Sequence, residues 1–243
     1  MGANKILVVP TVALFESIPH FHGFKAANSS ELDKLEVVIR SHGEWKERLY
    51  DGDSKIEHDF TYKQIIPYGV IITNDNDALK ILLYPREKGS GDSRLWGKTS
   101  IGIGGHIESQ DSINLRPEYL ERKLKESIER EIKEEITASK YGDFSFLGFL
   151  NDDTQPITEE NFIYGDSEEG NSGRVEGVGV PIGYVHFGLV YLLKVSPDVK
   201  TVEAHQKKFK LITLDEIGSY IPTMETWSRI LAPEIKRLYG GFF

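Results

Sequence analysis

GGHIESQDSINLRPEYLERKLKESIEREIKEEI, Gly104 to Ile136, opens on paired glycines and a carboxylate and closes on three glutamates beside an arginine. The closing half predicts a helix that begins at Pro117, a residue suited to a first helical turn, and runs to about Ala138. Glu118 and Glu121 sit at its positive end. Leu120, Leu124, Ile128, Ile132 and Ile136 recur every four residues as an apolar stripe. Glu131, Glu134 and Glu135 share one face beside that stripe, because side chains three and four apart are helix-surface neighbours. Like charges so placed repel unless something offsets them. Hard carboxylate oxygens suit Mg2+ or Mn2+. The plainer alternative is a solvated acidic face partnered by Lys125, Lys133 and Lys140. Arg130 is expected on a different side of the helix, where it would brace the glycine loop. Gly104 and Gly105 let the backbone turn sharply and approach a ligand, and Glu108 adds a carboxylate there.

Around this stretch the chain reads as strands and helices in a mixed order. Lys5–Pro10 is an apolar strand, and Phe15–Phe24 a turn-rich link containing Pro and Gly. A helix is predicted over Asn28–Arg40, with Ser30 as its cap. The polar run Tyr50–Phe60 superficially resembles a calcium loop. It has Ile56 where such a loop needs glycine and Tyr62 where it needs glutamate. Gln64–Thr73 and Leu79–Glu87 form a hairpin across NDND. A short strand leads into the glycines, a further strand follows at Asp143–Asp152, and an acidic, Gly-rich loop spans about Asp152–Gly179. Tyr184–Val195 is a buried strand, Phe209–Ile217 ends a strand and starts a short helix, and Met224–Gly240 is an amphipathic helix. This pattern predicts an α+β fold, a mixed sheet covered by helices.

Composition narrows the function classes. Among 243 residues the net charge is -9, which disfavours coating a nucleic-acid polymer. Cysteine is absent, which removes disulfides, thiolate metal sites and thiol nucleophiles together. No secretory signal or membrane-length apolar run is legible, so the expected location is cytoplasmic with no membrane partner.

Taken together, GGHIE over Gly104–Glu108 and REIKEEI over Arg130–Ile136 resemble the two halves of the Nudix hydrolase box. That box reads Gly, five residues, Glu, seven residues, then Arg-Glu-apolar-x-Glu-Glu-x-Gly-apolar. The flanking order, from the hairpin to the last helix, resembles the family from about Gln64 to the C-terminus. In the family the arginine follows the glycine by 14 positions; here Arg130 follows Gly105 by 25, so 11 residues are extra. Asp111 stands where the first glutamate belongs, and Thr137 replaces the later glycine. The insertion is expected after Asp111, within NLRPEYLERK.

The resemblance implies a Nudix-like α/β/α sandwich over 64–243, with residues 1–63 an N-terminal extension packed on it. It implies a MutT-like phosphoesterase chemistry in which a metal-dependent hydrolase, using magnesium or manganese, cleaves the diphosphate of a nucleoside diphosphate linked to another group. Glu131, Glu134, Glu135 and Arg130 are the implied catalytic residues. Glu131, Glu134, Glu135, the Gly105 carbonyl and Glu108 are the implied metal ligands, with Glu176 and Glu203 as further base candidates. Arg86, Arg94, Trp96 and His106 are candidates for holding the small-molecule diphosphate substrate, with Lys88 nearby. His186, alone in a strand, is read as packing. The extension could add a strand, shape the pocket or join two copies in a homodimer. The alternative reading is a non-catalytic Nudix-like ligand-binding or regulatory module, which would have no need to retain all three glutamates. An isoprenoid-type diphosphate isomerase would need a cysteine that this chain lacks.

Overall fold

Two apolar periods, near two in strands and near four in helices, set the elements of this chain. The computed structural model describes residues 4–49, 55–76, 78–86, 95–109, 117–153, 163–164, 173–174, 182–202 and 209–240, and side chains from 124 onward in the long helix. The first part runs β1 (Asn4–Pro10), α1 (Thr11–Ser17), β2 (Gly23–Ala26), α2 (Ser29–His42), β3 (Glu44–Arg48) and a 3-10 turn at Lys55–His58. Next come β4 (Tyr62–Asp75), β5 (Ala78–Pro85), β6 (Thr99–Ser100), β7 (Gly102–Gly104), α3 (Pro117–Glu135), β8 (Ile136–Thr137) and β9 (Tyr141–Asn151). Short β10 (Ile163–Tyr164) and β11 (Gly173–Arg174) pair with each other. The rest is α4 (Ile182–Val185), β12 (His186–Val195), β13 (Lys200–Thr201), β14 (Lys210–Thr213), α5 (Ile217–Tyr220) and α6 (Thr226–Tyr239). The main sheet orders its strands β14-β5-β4-β12-β9-β2, with β1 and β7 also on β4. The architecture is α+β with a mixed sheet.

The chain clusters into two compact units. The first comprises 1–66, 106–124 and 149–188; the second comprises 67–105, 125–148 and 189–243.

In the first unit β1 lies antiparallel to β3 (Leu7↔Trp45) and to the start of β4 (Val8↔Gln64). β3 was not anticipated; its alternation of charged residues with a single Trp hides the strand. α1 occupies Thr11–Ser17, extending into the region expected to be a link. It buries only Thr11 and Leu14, too few to show a helical period. α2 matches its expected span within two residues, but its cap is Asn28 rather than Ser30. Asn28 accepts from the Glu31 amide at 3.2 Å while Glu31 Oε2 accepts from the Asn28 amide at 3.3 Å, a reciprocal capping box. Leu32, Leu35, Val38 and Ile39 then face inward.

In the second unit β4 and β5 form the expected hairpin, closing at Asp75↔Ala78, with Asn76 at φ 50°, a left-handed turn position that asparagine tolerates. β14 adds to the other side of β5. α6 begins where Glu225 accepts hydrogen bonds from the Trp227 and Ser228 amides at 2.7 and 2.8 Å. Glu225 Oε1 also accepts from the Tyr68 hydroxyl at 3.0 Å, so the helix cap is tied to β4. No helix among the described residues is long and apolar enough to cross a membrane.

Candidate active site

The second unit brings the glycines and glutamates of the opening stretch together. β7 pairs antiparallel with β4 (Tyr68↔Gly104, Gly69↔Ile103, Val70↔Gly102). At Gly102 a Cβ would collide with the Tyr68 ring, and the Gly102 carbonyl accepts from the Tyr84 hydroxyl at 2.7 Å. Across Gly69 lie Ile128 and Ile132 of α3, and a Cβ there would press on the Ile132 Cδ1 atom at 2.8 Å. The missing side chain lets the helix settle on the strand. Ile128 and Ile132 are fully buried, so the apolar stripe read from the sequence is the packed face. With that face down, Glu131 is directed at Gly105, where an added Cβ would overlap its carboxylate. Twenty-five positions of intervening chain are thereby closed onto one point.

Glu131 is half-buried, and burial pushes its carboxyl up from 4.5 to about 7. The Arg130 guanidinium pulls it down, while the charges of Glu134 and Glu135 push it further up. The Arg130 guanidinium pairs with Glu131, the next residue, at 2.9 Å and with Glu134, one turn on, at 3.3 Å. Glu129 and Lys133 form an ordinary exposed i,i+4 pair at 3.1 Å, so the solvated-face reading fits that flank of the helix. A carboxyl raised by partial burial, and further by two like charges, is what a divalent cation would relieve. Gly105→Ala is therefore expected to displace Glu131 and weaken Mg2+ or Mn2+ binding by at least tenfold, as read by calorimetric titration. Unchanged affinity would detach Gly105 from the metal site.

Of the expected substrate residues, Arg86 lies with its guanidinium 4.9 Å from the Tyr84 ring centroid, and its Nε is buried with no hydrogen-bond partner among the described residues. Glu135 acts electrostatically on both Tyr84 and Arg86. Trp96 is half-buried in the turn before β6. Lys88, Arg94, Asp111, Glu176 and Glu203 lie outside the described residues.

In the first unit, Glu108 makes a backbone bridge to Ile6, and the Leu7 amide donates to Ile107 at 2.9 Å. Glu57, His106 and His186 each offer one ligand atom within 4.8 Å of the other two. Glu57 and His186 are buried. The His106 ring stands 5.6 Å from that of His186. Arg48 Nε donates to Glu57 Oε1 at 2.8 Å. Gln64 Nε2 donates to the Ile56 carbonyl at 3.2 Å, which leaves its Oε1 as acceptor towards His106 Nε2 at 2.6 Å. His106 Nε2 therefore carries the proton. Burial holds this imidazole neutral, far below the ordinary histidine range, with the charges of Arg48 and His186 acting in the same direction. Neither Glu57 nor His186 was legible as a functional residue, since one falls in a polar turn and the other in an apolar strand.

No family model matches the chain. Protein YmaB of Bacillus subtilis (strain 168) is 28% identical over 234 residues, covering 93% of this chain and 94% of that protein. The crystal structure of Tm1382, assigned as a Nudix hydrolase, superposes with a TM-score of 0.66 at 24% identity, covering 97% of this chain and all of that one. At that identity the likeness shows the fold, and the sandwich expected from the sequence is the one found.

Proposed function

We propose, from the Nudix fold of this chain, that it is a metal-dependent hydrolase cleaving the phosphoanhydride bond of a nucleoside diphosphate linked to another group. The observation that carries the reading is the Glu131 carboxylate packed on Gly105 beside Glu134 and Glu135. Glu131, Glu134, Glu135 and the Gly105 carbonyl would hold Mg2+ or Mn2+, with Glu108 and Arg130 in support. When bound, such a cation offsets phosphate charge and makes the attacking water easier to deprotonate. A carboxylate oxygen of the α3 glutamates takes that proton. Water oxygen bonds to one phosphorus, the bridging P–O bond breaks, and the bridging oxygen leaves with the other phosphate. Arg86, whose buried Nε has no partner among the described residues, would donate to a phosphate oxygen; the sequence resemblance adds Arg94 as a further candidate, and Trp96 offers a face for stacking. Residues 1–63 are read as an extension on a catalytic domain of 64–243, with Val8 of β1 pairing with Gln64 at its start.

The test is release of phosphate or nucleotide from a panel of nucleoside diphosphate derivatives, with and without Mg2+ or Mn2+. Turnover that needs the cation is expected, and the preferred compound names the substrate. No turnover of any compound, together with no Mg2+ or Mn2+ binding by calorimetry, would replace the hydrolase by a ligand-binding module.

A further inference from the structure

We propose that Glu57, His106 and His186 form a separate, nitrogen-rich site for a divalent transition metal of the zinc class. Three features of the first unit point there. The donors come from three segments remote in sequence, the 3-10 turn, the stretch after β7 and the start of β12, yet their ligand atoms converge within 4.8 Å. Two imidazoles and one carboxylate are a set that zinc accepts, with a fourth position for water or another ligand. Magnesium, which prefers oxygen donors, does not favour it. The surrounding groups are also those of a metal site. Gln64 Oε1 accepts the Nε2 proton of His106 at 2.6 Å and so fixes the tautomer and orientation of that ring. Arg48 holds one oxygen of Glu57 at 2.8 Å, which fixes the carboxylate plane. Hydrogen bonds of this kind orient metal ligands and set their tautomers.

Tetrahedral zinc at ordinary bond lengths places its ligand atoms about 3.4 Å apart. A separation at the 4.8 Å limit would have to shorten by about 1.4 Å, within reach of side-chain rotations. A histidine pair serving only as packing would need neither the Gln64-fixed tautomer nor a buried glutamate beside it. This assignment gives the His106 ring a metal in place of a substrate contact. It is independent of the proposed hydrolase site, whose donors are carboxylate and carbonyl oxygens.

The experiment is zinc and cobalt titration of the chelator-stripped full chain, in excess magnesium to occupy carboxylate sites. Expected is about one zinc per chain at micromolar affinity or tighter, with visible d–d absorption of the cobalt form. This binding should persist in Glu131→Gln/Glu134→Gln, fall at least 100-fold in His186→Asn and in Glu57→Gln, and fall about 10- to 100-fold in Gln64→Leu. The wild-type titration needs no variant to fold. Wild-type protein that takes up no zinc at micromolar concentration overturns the site. So does zinc binding that survives His186→Asn but disappears in the α3 double variant, which would place the ion on the glutamates.

Discussion

Glu131→Gln is expected to lower cation-dependent turnover by about 1000-fold while leaving the metal-free protein as stable as before, or more so, above pH 7. The magnitude follows from the task assigned to the residue. A catalytic cation supplies several kcal/mol of transition-state stabilisation, and about 1.4 kcal/mol corresponds to tenfold in rate. Losing the ligand closest to Gly105 forfeits most of that. The stability side follows from the raised carboxyl. Glu131 titrates near 7 in the folded chain against an ordinary 4.5. A raised folded-state value means that the folded protein holds the proton more tightly. The associated stability is complete below about pH 4.5 and is lost as pH rises through about 7. Glutamine is neutral at every pH and escapes that loss. A bound cation offsets the same repulsion, so Mg2+ should raise the melting temperature of wild type more at pH 8 than at pH 5.5, and should release a proton on binding below pH 7. Glu129→Gln, on the exposed Lys133 pair, is the matched control and should retain full rate. A rate in Glu131→Gln within threefold of wild type would mean that the three glutamates are only a charged helix face.

The ease with which different parts of this molecule could be read follows from the range of the interactions that make them. The β4–β5 hairpin and the α3 stripe are local: strand alternation, a two-residue turn and a four-residue apolar repeat are all written within about twenty positions. The meeting of Gly105 with Glu131 is not local, but it was inferable because both halves resemble one family pattern across the insertion. The pairing of Arg130 with Glu131 was not legible, because a wheel of Cα directions ignores the reach of a guanidinium, which can bend to a neighbour one residue on. The Glu57, His106 and His186 convergence lay beyond reach altogether. It depends on β1 pairing with both β3 and β4, which brings the 3-10 turn to its place, and no periodicity encodes such pairing. β3 itself was hidden because its residues are mostly charged and only half-buried.

Lys63 exposes the same blind spot and yields the largest expected effect on stability. One residue ahead of the strand expected from Gln64, it lies inside β4 with no exposed surface. Its ammonium donates to the Asp153 carboxylate at 2.8 Å, the Gly183 carbonyl at 2.9 Å and Asn151 Oδ1 at 3.2 Å, and approaches the His186 carbonyl at 3.5 Å. Burial draws its pKa from 10.5 to about 8, against the opposing pull of Asp153, and burial likewise pushes the Asp153 carboxyl up. Lys63→Met removes the charge and takes the Lys63 donor from a buried carboxylate, Asn151 Oδ1 and two carbonyls. Truncating one partner of a buried pair costs about 3–5 kcal/mol. That loss should appear as a lower denaturant midpoint and melting temperature. Lys63→Met/Asp153→Leu removes both charges and should recover more than half of it, since the carbonyls alone remain unsatisfied. Because Lys63 holds the backbone where α4 passes into β12, the single variant should also weaken zinc binding through His186 more than it weakens magnesium binding. A destabilisation below about 1 kcal/mol, or a double variant no better than the single, would show that Lys63 and Asp153 are not coupled as the geometry requires.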